Sequence, residues 1–141
     1  YSAIRGQLTG HAILSFRLGA ATADAISITQ TGSRVRQLPQ GNAIKSSAKS
    51  LRKSLLEGAA LGGKPTPAKD GDLLRASLLA GFRGDLEQVG RYLIIPDGPL
   101  WGYSFNVLPE QQDGRRFLAD IRSVGAHLSV ADALRAPPDA P

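Results

Sequence analysis

The side chains able to do chemistry in this sequence are few. There is no cysteine, which excludes disulfides, thiolate metal sites and a cysteine nucleophile within these residues. The two histidines, His11 and His127, stand near opposite ends of the chain, so no multi-histidine metal site is expected. Ser129 needs a neighbouring base to act as a nucleophile; the N-cap of a helix over Val130 to Arg135 is its simpler role. Gly62-Gly63-Lys64-Pro65-Thr66 has the glycines and lysine of a phosphate-binding loop, but Pro65 stands where that loop requires Ser or Thr. We therefore expect no phosphate loop.

Asp97 is the acid with the most informative setting. It follows an apolar run, Arg91 to Ile95, inside Pro96-Asp97-Gly98-Pro99. Open α/β sheets bind ligands beyond the carboxyl ends of their strands, which makes Asp97 a candidate to line a substrate cleft or orient a catalytic group. The plainer reading is a turn, because Asp-Gly is a preferred turn pair. No residue of the chain is expected to be catalytic, and no cofactor or metal is expected.

The net charge is +5. The densest basic cluster, Lys45, Lys49, Arg52 and Lys53, falls in a helical pattern without interleaved aromatics. A solvated helix face accounts for it; a nucleic-acid partner is not expected.

The elements that must position these residues follow from periodicity. His11 to Leu18, Ala23 to Thr29 and Ser33 to Leu38 read as short strands joined by tight turns, an N-terminal antiparallel unit. Asn42 is a suitable N-cap for a helix whose Ile44, Ala48, Leu51 and Leu55 share one stripe. Gly58 and the Gly62 to Pro67 stretch end it. Asp70 or Asp72 caps a second helix carrying Leu74 and Leu78, broken at Gly81 and Gly84 before a short turn of helix over Asp85 to Val89. Arg91 to Ile95 has the unbroken apolar character of a strand buried on both faces. The following Leu100, Trp101, Phe105 and Leu108 are expected to pack back on the sheet edge.

With 141 residues, 42% of them apolar, the chain suits one α/β domain with one core. No run reaches the roughly 18 apolar residues of a membrane span. The start at Tyr1 without a signal-peptide pattern reads as part of a longer soluble, cytoplasmic protein.

The stretch LIIPDGPLWGYSFNVLPE, Leu93 to Glu110, resembles the signature of the CHAT domain family. These are caspase-like cysteine peptidases, often found in bacteria behind tetratricopeptide repeats. The matching residues are Pro96-Asp97-Gly98, Leu100, Phe105, Leu108 and Pro109, while Ser104 replaces the family's usual Pro. Upstream, Ala12 to Gly19 (AILSFRLG) is similar to the family's opening strand, and Gln37-Leu38-Pro39 to the end of its hairpin. Downstream, Arg116 to Leu134 is similar to the segment that leads into a short helix. His127 falls in that pre-helix segment and not in the family's catalytic motif.

The resemblance implies a caspase-like three-layer α/β/α sandwich, present in part. Residues 1–135 would be the N-terminal portion of the domain and 136–141 a loop or linker. The family's catalytic His and Cys lie in motifs C-terminal to everything here. Expected partners are the C-terminal half of the same domain, a protein or peptide substrate, and tetratricopeptide repeats upstream. A degenerate, non-catalytic scaffold is the alternative. In either case Tyr92 to Ile95 is expected to be an unpaired sheet edge that the missing half completes.

Overall fold

The computed structural model describes residues 2–38, 41–60, 69–102, 105–108, 118 and 123–135. A short helix α1 (Ser2–Gly6) precedes the strands β1 (His11–Leu18), β2 (Ala23–Ile28) and β3 (Ser33–Leu38). Helices α2 (Gly41–Ala60) and α3 (Lys69–Leu78) follow, then a 3-10 turn at Ala80–Phe82 and the single turn α4 (Arg83–Leu86). β4 (Arg91–Ile95) leads into 3-10 turns at Gly98–Gly102 and Phe105–Val107, then β5 (Ser123–Ala126) and α5 (Val130–Arg135).

The strands form one five-stranded sheet in the order β3-β2-β1-β4-β5. β1, β2 and β3 pair antiparallel in sequence order, whereas β4 is parallel to both β1 and β5. The architecture is mixed α/β with helices on both faces. On one face Leu14, Phe16, Tyr92 and Ile94 pack against Ile44, Ala48 and Leu51 of α2 and Leu74 and Leu78 of α3. On the other, Ile13 and Leu93 meet Leu8, the α1 residue Ile4, and Val130, Ala133 and Leu134 of α5. Such a two-sided sheet needs strands that are apolar on both faces, and β4 is buried from Arg91 to Ile94. Among the described residues no helix is long and apolar enough to cross a membrane.

Several expectations need revision. Tyr92 to Ile95 is not an edge: β1 covers one side of it and β5 the other. A strand buried on both faces gains most when both its backbone edges are also paired, and Ser123–Ala126 supplies the second partner. β2 stops at Ile28, one residue earlier than read, because Thr29 turns to bond Gly32 in the β2–β3 link. Asn42 is not a cap, since α2 already begins at Gly41 and runs past Gly58. Asp70 and Asp72 lie inside α3, which starts at Lys69, so neither precedes the helix as its cap. The helical turn after Phe82 comes earlier than expected, over Arg83–Leu86. Ser27 and Arg34 both hold its Asp85, at 3.2 Å each. Gly62 to Pro67 and Ala136 to Pro141 lie outside the described residues.

Leu100, Phe105 and Leu108 do not pack on a sheet edge. They are buried in the core between the sheet and α2, where Phe105 stacks on Phe16 at 5.8 Å between ring centres and 16° between planes. Trp101 is not part of that contact; it is 46% exposed.

Candidate functional site

Three parallel strands, β1, β4 and β5, bring their C-terminal ends to one side of the sheet. This is where a doubly covered α/β sheet places a site, and it gathers Leu18, Gly19, Asp97 and His127. The sequence marks Asp97 alone as a cleft candidate and does not show that it shares an end with His127.

Asp97 has its carboxylate Oδ2 at 2.7 Å from the backbone N–H of Leu18, the last residue of β1. Its carbonyl accepts the N–H of Leu100 at 3.1 Å, closing a turn that Gly98 passes at φ 53°. A side chain at that φ is strained, which is why glycine stands there. Asp97 therefore forms the turn, and it also clamps the end of β4 to the end of β1. One oxygen of the half-buried carboxylate is committed to the fold, and the other, Oδ1, is not in that bond.

The start of α2 closes against the same region. A Cβ on Gly41 would stand 2.0 Å from the carbonyl oxygen of Gly19, so the helix can approach the end of β1 only without a side chain there.

His127 follows β5, and its backbone N–H donates to the Ile94 carbonyl at 2.8 Å. Its imidazole is 12% exposed, with Nδ1 3.4 Å from Asp132 Oδ2. The ring lies over Gly125, where a Cβ would be 3.1 Å from Nε2, and Nε2 is buried with no hydrogen-bond partner. Through Asp132 the ring is tied to the first turn of α5, and it is mostly buried. Asp132 also accepts the Leu128 N–H at 3.0 Å, and Ser129 Oγ accepts the Asp132 N–H at 3.1 Å. Ser129 is thus the N-cap of α5, with its hydroxyl engaged in the cap. The sequence reading missed Asp132, which the Ser129-x-x-Asp132 spacing of a capping box could have revealed.

His11 opens β1, with Nδ1 2.7 Å from the Thr9 carbonyl, consistent with a structural role. The phosphate-loop reading gains nothing: Gly58, at the spacing such a loop needs ahead of Gly63 and Lys64, sits inside α2. Among the described residues no cluster of His, Cys, Asp and Glu could hold a metal ion. On the basic face of α2, Lys53 pairs with Glu57 at 3.9 Å, while Lys49, Arg52 and Lys53 are exposed as a solvated face would be.

The clamp at Asp97 is testable by stability. Asp97→Ala leaves the Leu18 N–H without its acceptor and is expected to cost about 1–3 kcal/mol. Asp97→Asn keeps an acceptor and should lose about half of that. Denaturant midpoints with an unchanged slope would measure both; equal stability of Asp97→Ala and the parent would dismiss the clamp.

No protein-family model matches this chain, and no curated protein matches it.

Proposed function

We propose that this chain is the N-terminal portion of a caspase-like CHAT cysteine peptidase. On this reading it cleaves protein or peptide substrates through a His/Cys dyad that lies downstream of these residues. The observation that carries the proposal is the Pro96-Asp97-Gly98 turn, which closes a parallel strand buried on both faces and ties it to the end of β1. The family-like segments also fall on successive elements in order. Ala12 to Leu18 lies on β1, Gln37-Leu38 ends β3, Leu93 to Ile95 lies on β4, and Ala133-Leu134 lies on α5. The thiolate of such a dyad attacks a peptide carbonyl with the imidazole as its base. This chain contributes the scaffold for that step and, at Asp97, one wall of the cleft.

The added strands would pair with the outer edge of β5 and not with Tyr92 to Ile95, whose edges are taken. Ser123 and Ala126 at that outer strand are exposed, ready for a further neighbour.

The 141-residue chain alone is expected to hydrolyse no peptide, because it contains no cysteine. A product extended beyond Pro141 to include the dyad should cleave an unstructured protein substrate such as casein. Replacing its downstream Cys with Ala should abolish the cleavage. Cleavage that survives the Cys→Ala change defeats the mechanism. An extended product that lacks a His-Gly motif and a following Cys, and that cleaves nothing, makes the domain a non-catalytic scaffold.

A further inference from the structure

A second feature lies at the end of the sheet away from β5 and does not depend on the peptidase reading. β3 is the last strand in the sheet order, and Ser33 to Gln37 are all exposed. The direction of its backbone groups follows from the β2–β3 link. Thr29 and Gly32 exchange two N–H to carbonyl bonds, at 2.8 and 3.4 Å, so they form a hydrogen-bonded pair. Such pairs alternate with non-bonded ones along an antiparallel ladder. Counted along the register, Ser27↔Arg34, Ala25↔Arg36 and Ala23↔Leu38 are then the bonded pairs. Ser33, Val35 and Gln37 turn their N–H and C=O groups away from β2, toward the outer edge. The side chains divide in the same way. Arg34 and Arg36 stand on the face where α4 packs: the Arg34 Nε meets Asp85 at 3.2 Å with 61% of the arginine side chain still exposed, and the Arg36 stem runs past Gly81, whose Cβ would be 3.7 Å from its Cγ. Val35, 69% exposed, lies on the other face beside its register partner Ile26, which is 37% exposed.

We propose that β3 is a docking edge for an extended acidic segment of a partner protein, which adds to the sheet as a further strand. Main-chain bonds to Ser33, Val35 and Gln37 supply the affinity open to any strand, and the side chains choose which strand. A residue opposite Val35 falls beside the apolar pair of Val35 and Ile26 and suits a β-branched side chain. The residues on either side of it stand opposite Arg34 and Arg36, on the other face, and suit Glu. A second copy of this chain is a poor occupant. Paired antiparallel about Val35, it would set Arg34 of each copy against Arg36 of the other, and like charges directly opposed are destabilising. A neutral strand would partly desolvate the Arg36 guanidinium and give it no carboxylate in return. The arginines thus close the edge to self-association, a usual role of charge on an edge strand, and open it to an acid–apolar–acid pattern.

The test is an amide chemical-shift titration of the isotope-labelled chain with three capped peptides. The first, Val-Thr-Glu-Val-Glu-Thr-Val, reads the same in both directions, so strand direction does not decide the result. It is expected to saturate with a Kd of about 1 mM, with its largest shifts in Ser33–Leu38. The same peptide with Gln for both Glu should bind about tenfold more weakly. The version with Pro for the central Val keeps both charges but lacks the N–H that pairs with Val35, and should give no saturable shift. In the protein, Arg36→Gln should weaken the Glu peptide about tenfold. Val35→Pro removes an outward N–H and no bond to β2, so it should abolish binding in a chain that stays folded. Arg36→Gln, at an exposed position, keeps the test decisive if Val35→Pro fails to fold. No saturation with the Glu peptide, equal binding of the Gln or Pro peptide, or binding that is unchanged by Arg36→Gln or survives Val35→Pro would each overturn the proposal. So would a dimer in sedimentation whose β3 amides are protected from exchange, since the occupant would then be a second copy.

Discussion

Gly41→Ala is expected to destabilise the fold by about 3 kcal/mol, at the upper end of overpacking costs. For a chain of this size that is a fall in Tm of about 10 °C. The added Cβ would stand 2.0 Å from the Gly19 carbonyl oxygen. That neighbour is backbone, so no rotamer change relieves the clash. Either α2 lifts from the end of β1 or β1 loses its last register positions, and each movement uncovers Ile44 or Leu18. Gly58→Ala in the same helix is the control. Nothing lies within 4 Å of its Cβ, and removing a glycine from a helix interior should stabilise by roughly 0.5–1 kcal/mol. Opposite signs from two glycines of one helix are the expected thermal-melt result. If Gly41→Ala melts with the parent, the close approach of α2 to β1 is wrong.

Leu100→Ala and Trp101→Ala should differ as sharply, although the residues are neighbours. Leu100 is 0% exposed in the main core, and truncating it should cost about 2–5 kcal/mol through lost burial and the cavity left behind. Trp101 is 46% exposed, and its truncation should fall within about 0.5 kcal/mol of the parent. Since Trp101 is the only tryptophan, its fluorescence offers a direct check. Emission from the native chain should already be solvent-like and should change little on unfolding. A large spectral shift, or a Trp101→Ala cost comparable to that of Leu100→Ala, would place the indole in the core and reverse this assignment.

That pair also shows where sequence reading stops. The apolar content of Leu100 to Leu108 announced a packed segment, but 3-10 turns rotate Trp101 outward while sending Leu100, Phe105 and Leu108 inward. No period of two or 3.6 describes such a path. β1, β3, β4 and α5 were legible to the residue because alternation, an unbroken apolar run or a cap marked each of them. β5 was not. Ser123–Ala126 contains one bulky apolar residue, Val124, and it is a strand because β4 needs a second edge partner. α1 has five residues and no acid in its first turn, so tertiary packing of Ile4 holds it where propensity would not. At the candidate site, Asp97 could be read from Pro-Asp-Gly, but its partner could not. The Leu18 amide lies 79 residues away in sequence, and only the parallel register of β1 on β4 brings the two together.

That register also bears on how the chain is made. The β1–β2–β3 meander is local and can form as soon as Leu38 has been synthesised. β4, which covers the other side of β1, begins only at Arg91. At bacterial or eukaryotic elongation rates this leaves roughly 3–10 s in which β1 has one bare edge. HAILSFRL is apolar enough to recruit a stray strand during that interval. Arg17, held across to Asp24 on β2, and His11 at the other end are the polar groups placed to discourage it. Charge-neutral replacements at Arg17 should therefore lower soluble yield during synthesis more than they lower the stability of the finished fold.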